Sequence, residues 1–299
     1  MRRFVAVVLV MGLGAACGAG GGGGGGDGRP RVVAAFYPLY EAAQRVGGER
    51  VRVSNLTPAG SEPHDLELSS GQVDRIEDAA VVLFLGRGFQ PALEKAAQRA
   101  KGIKVDVLTG LANLRPGGAG DDALEVDPHV WLDPLQQKAI VAQVAAALAQ
   151  VDPANRASYE AGAAAYSNEL DELDRAFTQG LEQCERRVLV TAHAAFGYLA
   201  GRYGLVQEAI AGLEPESEPT PQRLADLTAK VRATGTTTVF YETLVSPKVA
   251  ESLAREAGVG TAVLDPLEGL SEEDAKAGRT YMSAMRDNLS AIRAALGCR

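Results

Sequence analysis

The chain has three histidines, His64, His129 and His193. Each falls where a chain of alternating strands and helices exposes side chains, at the carboxyl end of a β-like run or in the loop after it. His64 stands in Gly60-Ser61-Glu62-Pro63-His64-Asp65. His129 stands in Asp127-Pro128-His129-Val130-Trp131-Leu132-Asp133-Pro134, and His193 in Thr191-Ala192-His193-Ala194-Ala195-Phe196-Gly197. One such histidine alone reads as structural or surface; three in equivalent places, with none elsewhere, read as a group. Asp265, in Val263-Leu264-Asp265-Pro266-Leu267, ends another β-like run and adds a carboxylate. Three imidazoles and one carboxylate suit a tetrahedral divalent cation; nitrogen-rich ligation favours Zn2+, and Mn2+ gains as carboxylates replace imidazoles. Pro63 and Pro128 directly precede two of these ligands and restrict the backbone there. Glu242 follows the run 236–241 and leaves its role open. It could orient a ligating imidazole, substitute for a ligand, or be a solvated strand-end acid or half of an ion pair.

The same residues admit an exported zinc hydrolase, which keeps one coordination position for water. A shell closed by Asp265 leaves no such position, and the chain has neither an HExxH helix nor a GxSxG elbow. No catalytic residue is therefore assigned. A binding protein is expected, and lower pH should weaken it because imidazoles must lose their protons to ligate.

The elements that must position these groups follow from hydrophobic patterning. Runs 31–36, 51–57, 80–86 and 104–108 read as buried strands separated by helices, with a Gly- and Asp-rich loop at 110–126 and a helix over 134–150 opened by proline. After an N-cap-like Asp152-Pro153, the positions Ala163, Tyr166, Leu170, Leu173, Phe177 and Leu181 recur at threes and fours, predicting one unbroken amphipathic helix of about eight turns. The alternation then restarts, with strands at 187–192, 205–209, 236–241 and 261–264 and helices at 196–203, 221–233, 247–257 and 279–296. This is an α/β fold of two similar lobes with parallel sheets, joined by one long rigid helix, with a ligand cleft between them. The expected divisions are an N-terminal lobe over 31–151, a linking helix over 152–183 and a C-terminal lobe over 184–299.

At 299 residues with 46% hydrophobic and 23% charged side chains, the chain can bury substantial cores, and a formal charge of −8 argues against nucleic acid as a partner. Met1-Arg2-Arg3, an apolar run over 4–13 and small residues before Cys17 read as an export signal over 1–17, too short to span a bilayer. The end of this signal resembles the lipobox of bacterial lipoproteins, although Leu13 lies four places before Cys17 where three is usual. The glycine-rich stretch 18–30 reads as a flexible tether that would hold the folded part off a membrane face through a lipid on Cys17. In an exported chain the remaining cysteines, Cys184 and Cys298, should pair.

Pro63-His64-Asp65, Asp127-Pro128-His129-Val130-Trp131, Thr191-Ala192-His193-Ala194-Ala195-Phe196-Gly197-Tyr198 and Leu264-Asp265-Pro266-Leu267 together resemble the zinc/manganese substrate-binding lipoproteins of bacterial ABC transporters, the ZnuA/TroA-like group. The resemblance implies that His64, His129, His193 and Asp265 bind the metal between the lobes. It also implies a monomer that delivers Zn2+, captured outside the cell, to a membrane permease and its ATPase. The protein would be lipid-anchored on the outer face or periplasmic. Members that prefer manganese tend to carry Glu at the third ligand position, so His193 favours zinc. The stretch before the second ligand lacks the His- and acid-rich loop of many zinc members, which fits a surface loop without a metal-gathering role. A surface adhesin is the remaining alternative, and its only support is the tether.

Overall fold

Short apolar runs that are buried on both faces pair in parallel, because helical crossovers cover both sides of the sheet. The computed structural model describes residues 28–118 and 124–299. Its first half runs β1 (Arg31–Ala34), α1 (Tyr37–Gly47), β2 (Arg52–Asn55), α2 (Ser70–Glu77), β3 (Val81–Phe84), α3 (Pro91–Ala97) and β4 (Ile103–Asp106). Helix α4 (Pro134–Val151) and the long α5 (Arg156–Leu181) follow. The second half runs β5 (Val188–Thr191), α6 (Gly197–Arg202), β6 (Val206–Ala209), α7 (Pro221–Ala233), β7 (Thr238–Tyr241), α8 (Lys248–Ala257), β8 (Gly260–Val263), α9 (Glu272–Ala277) and α10 (Tyr281–Leu296). The sheets are ordered β2-β1-β3-β4 and β6-β5-β7-β8, all parallel, so the two lobes share one topology. In such sheets ligands bind beyond the carboxyl ends of the strands, where the strand order reverses.

Helix α5 buries Tyr159, Tyr166, Leu170, Leu173, Phe177 and Leu181 on one face against α1, α4 and α10. Its 26 residues give about seven turns and about 39 Å, one turn short of the expected length. The missing turn is a 3-10 turn, Pro153–Asn155, in which the Asn155 N–H donates to the Asp152 carbonyl. Asp152 makes no capping bond there; its carboxylate accepts from Asn155 and the Tyr159 hydroxyl instead. At Gly162 an added Cβ would lie 2.6 Å from the Val46 carbonyl oxygen, so glycine lets α5 approach the end of α1. The larger core runs from the first sheet through α4 and α5 into α10, and a second one of Val190, Val239, Leu227 and Leu253 lies between the second sheet and α7 and α8.

Cys184 and Cys298 are joined in a disulfide, with Arg299 N–H donating to the Gln183 carbonyl beside it, so the C-terminus is tied to the end of α5. The expected signal segment, Cys17 as an expected lipid acceptor and the expected tether up to residue 27 lie outside the described residues, as does 119–123 of the 110–126 loop.

Candidate metal centre

Each histidine is placed by the carboxyl end of the first lobe's or second lobe's framework. His64 sits in the loop between β2 and α2, where Gln90 Nε2 donates to the Pro63 carbonyl (2.9 Å) and Phe89 packs edge-on to the imidazole at 4.7 Å. His129 precedes the 3-10 turn Val130–Leu132 ahead of α4. His193 follows β5, its carbonyl held by Thr191 Oγ1 and Gln207 Nε2.

The three side chains meet a single carboxylate. Glu268 Oε1 lies 3.2 Å from His64 Nε2, 2.9 Å from His129 Nε2 and 3.3 Å from His193 Nε2; the last two nitrogens are 3.3 Å apart. One ligand atom from each of the four residues falls within 4.8 Å of all the others. A tetrahedron with metal–ligand bonds of about 2.0–2.1 Å has edges of about 3.3 Å, so these spacings already suit one small dication. All four side chains are at most 1% exposed.

Two of the imidazoles are oriented by carboxylates. Asp127 Oδ1 accepts from His129 Nδ1–H (2.8 Å) and from the His129 backbone N–H (3.0 Å). Glu242 Oε1 accepts from His193 Nδ1–H (2.6 Å) and from the His193 backbone N–H (3.2 Å). A carboxylate cannot donate, so Nδ1 carries a proton in both rings, and Nε2 is the nitrogen turned to the centre, free to ligate once it carries no proton of its own. His64 differs: its Nδ1 is 3.1 Å from Glu214 Oε2 in a geometry that makes no hydrogen bond.

The electrostatics follow from packing acids and imidazoles together in a buried site. Burial alone would lower the His64 pKa, but the charge of Glu268, the hydrogen bond to it and the nearby Glu214 carboxylate outweigh it and push the pKa up to about 10. The His193 imidazole is likewise driven well above its ordinary value, with Glu242 and Glu268 overcoming burial. Burial would raise the Glu268 carboxyl, yet the facing His193 and His64 hold it well below the usual carboxylate range. Burial, followed by repulsion from Glu268, lifts Glu62 to about 8. Carboxylates thus outnumber imidazoles in and around the centre, which favours a cation of charge two.

Asp265 is not in this cluster. The structure brings Glu268, three residues further on, to the histidines in its place. The Asp265 side chain turns back on its own loop: Oδ1 accepts from the Leu267 N–H (2.8 Å), and Oδ2 is 3.8 Å from Arg279 Nε. Asn288 on α10 brackets the Asp265 backbone at both N–H and carbonyl. Leu267 then takes φ +58, which redirects the chain and sends Glu268 into the cleft. Burial raises the Asp265 pKa to about 6.

Sequence reasoning passed over Glu268, Asp127 and Glu214. Asp127 had a signal, since an Asp two residues before another residue often accepts that residue's backbone N–H. Glu268 had none, because leucine does not announce a left-handed turn.

Residues 32–295 match the family described as zinc-uptake complex component A, periplasmic (ZnuA). The zinc-binding lipoprotein AdcA of Streptococcus pneumoniae strain R6 is 39% identical over 274 residues, covering 88% of this chain but 55% of AdcA, so the chain spans about half the length of that relative. The high-affinity zinc uptake system protein ZnuA of Bacillus subtilis is 33% identical over 278 residues, 89% of this chain and 87% of that protein. The crystal structure of the Zn(II)-bound ZnuA-like domain of S. pneumoniae AdcA superposes with a TM-score of 0.79 at 39% identity, covering 90% of this chain and 99% of that domain.

Proposed function

This chain belongs to the family of zinc-uptake complex component A, and from that membership we propose that it captures Zn2+ outside the cytoplasm and delivers it to a membrane permease driven by an ATPase. The observation that carries the reading is the convergence of His64, His129 and His193 Nε2 on Glu268 Oε1 in a buried cleft between the lobes. These four residues are the ligands, with Asp127 and Glu242 fixing two of the rings. Three nitrogens and one oxygen select zinc over manganese, which does better with more carboxylates. Glu268 closes the coordination shell, so no position remains for an activated water, and the family's role is binding rather than catalysis. The Cys184–Cys298 disulfide supports an oxidising compartment outside the cytoplasm. Export through the segment 1–17 and a lipid on Cys17 complete the reading, placing the cleft on the outer side of a membrane or in a periplasm.

The test is a metal titration of the processed chain with Zn2+ against Mn2+, for the wild type and His193→Ala. One zinc bound in preference to manganese and lost in His193→Ala supports the proposal. Stoichiometric manganese preference would overturn the selectivity, and binding of neither metal would overturn the function.

A further inference from the structure

The residue pattern around Trp131 is not used by the four ligands, yet it ties them together. Trp131 is fully buried two residues after His129, in the turn Val130–Leu132. Its Nε1–H donates across the cleft to the Pro266 carbonyl at 2.7 Å, and Pro266 stands two residues before Glu268. The Trp131 carbonyl in turn accepts from the Tyr281 hydroxyl of α10 at 2.6 Å. One hydrogen bond therefore spans the lobes two residues from a proposed ligand on each side.

The peptide unit it grips is the one whose orientation decides where Glu268 goes. In the Pro266–Leu267 peptide, the C=O is held by Trp131 from the first lobe, and the N–H is held by Asp265 Oδ1 from the second. The peptide is planar, so holding both ends fixes its rotation, and that rotation sets Leu267 at φ +58. A left-handed leucine is disfavoured and persists only where its surroundings enforce it. Rotating the peptide would let Leu267 return to negative φ and carry Glu268 away from the histidines.

We propose that Trp131 is a positioning residue for metal retention: its indole N–H pins the Pro266–Leu267 peptide, keeps Glu268 in the coordination shell, and makes retention depend on the two lobes staying together. When the lobes part, the Trp131 end lets go first, the peptide turns, and the only anionic ligand of the four leaves. The inference rests on the zinc reading of this site.

Trp131 is the single tryptophan of the chain, so the N–H can be removed alone. Replacing tryptophan throughout by benzothienylalanine exchanges that N–H for sulfur in a ring of nearly the same shape; 7-azatryptophan keeps the N–H and is the rescue. Zinc dissociation into excess chelator is followed by stopped flow, zinc coordination by K-edge absorption, and melting with and without zinc by calorimetry. A lost hydrogen bond that strands a buried carbonyl predicts dissociation roughly tenfold faster for the benzothienyl protein, with a carboxylate oxygen missing from the zinc shell and near-normal behaviour restored by 7-azatryptophan. Asp265→Ala frees the other end of the same peptide and should also speed dissociation. Unchanged dissociation in the benzothienyl protein, or a melting loss equal with and without zinc, would overturn the inference. An unsubstituted chain that takes up no zinc would instead overturn the zinc reading on which it stands.

Discussion

Zinc capture by this site should release two protons. In the metal-free cluster the His64 imidazole is raised to about 10 and His193 stands well above its ordinary value, although burial opposes both, because Glu268 faces each ring and Glu242 and Glu214 add to it. Both rings are therefore charged at neutral pH, and both protons must leave before Nε2 can ligate. Each displaced proton changes the apparent association constant tenfold per pH unit below its pKa. Two displaced protons give about a hundredfold per unit while pH lies below both pKa values, so between pH 8 and pH 6 the change is at least the hundredfold that His64 alone supplies and rises towards ten-thousandfold, about 5.5 kcal/mol, as His193 contributes. The sign is fixed: affinity climbs with pH and levels off only as pH passes the His64 value of about 10. The metal-free fold behaves oppositely. A raised imidazole pKa contributes stability that is complete below the unfolded value of 6.5 and is lost as pH rises through about 10. Competition against a chelator of known proton-corrected affinity measures the slope, and calorimetry in buffers of different ionisation enthalpy counts the protons. A pH-independent affinity between pH 6 and pH 8, with no proton release, would refute the charged metal-free cluster.

Three further outcomes follow from the same geometry. Glu242→Gln should weaken zinc by about 10–100-fold, as loss of an outer partner of a ligating histidine usually does, and Glu268→Ala by more, both read by chelator competition. Asp265→Asn keeps an oxygen for the Leu267 N–H and should bind zinc much more tightly than Asp265→Ala, whereas a ligating Asp265 would make the two equally weak. Breaking the disulfide with Cys184→Ser and Cys298→Ser opens a loop of sequence separation 114. On the chain-entropy account this lowers unfolding free energy by about 5 kcal/mol in urea titration, and a loss under about 1 kcal/mol would show that the bond constrains little.

The fold was legible because the central strands β1, β3, β5 and β7 are largely apolar and buried and the helices keep their spacing. The reading of 221–233 coincides with α7, where Thr220 caps and Pro221 opens the helix. In the first lobe the expected strand ends run two residues long: Phe36 and Thr57 are fully buried, yet they leave the ladder. Helix α9 went unseen because Glu-Glu-Asp-Ala-Lys-Ala buries nothing, so no hydrophobic period marks it; its signals were the capping Ser271, the acids of its first turn and Gly278 just past its end. In the site, the three histidines stood out because their type is rare in this chain. The carboxylate did not. Strand ends point to Asp265, and only the hydrogen bonds of Asn288, Trp131 and Asp265 itself reveal that this loop turns at Leu267 and presents Glu268.

The central claim is tested most directly by the ligand set itself. Crystals of the zinc-loaded chain, measured on both sides of the zinc absorption edge, should give one anomalous peak about 2.0–2.2 Å from Nε2 of His64, His129 and His193 and from a Glu268 oxygen. A peak coordinated by Asp265, or no peak in the cleft, would contradict it.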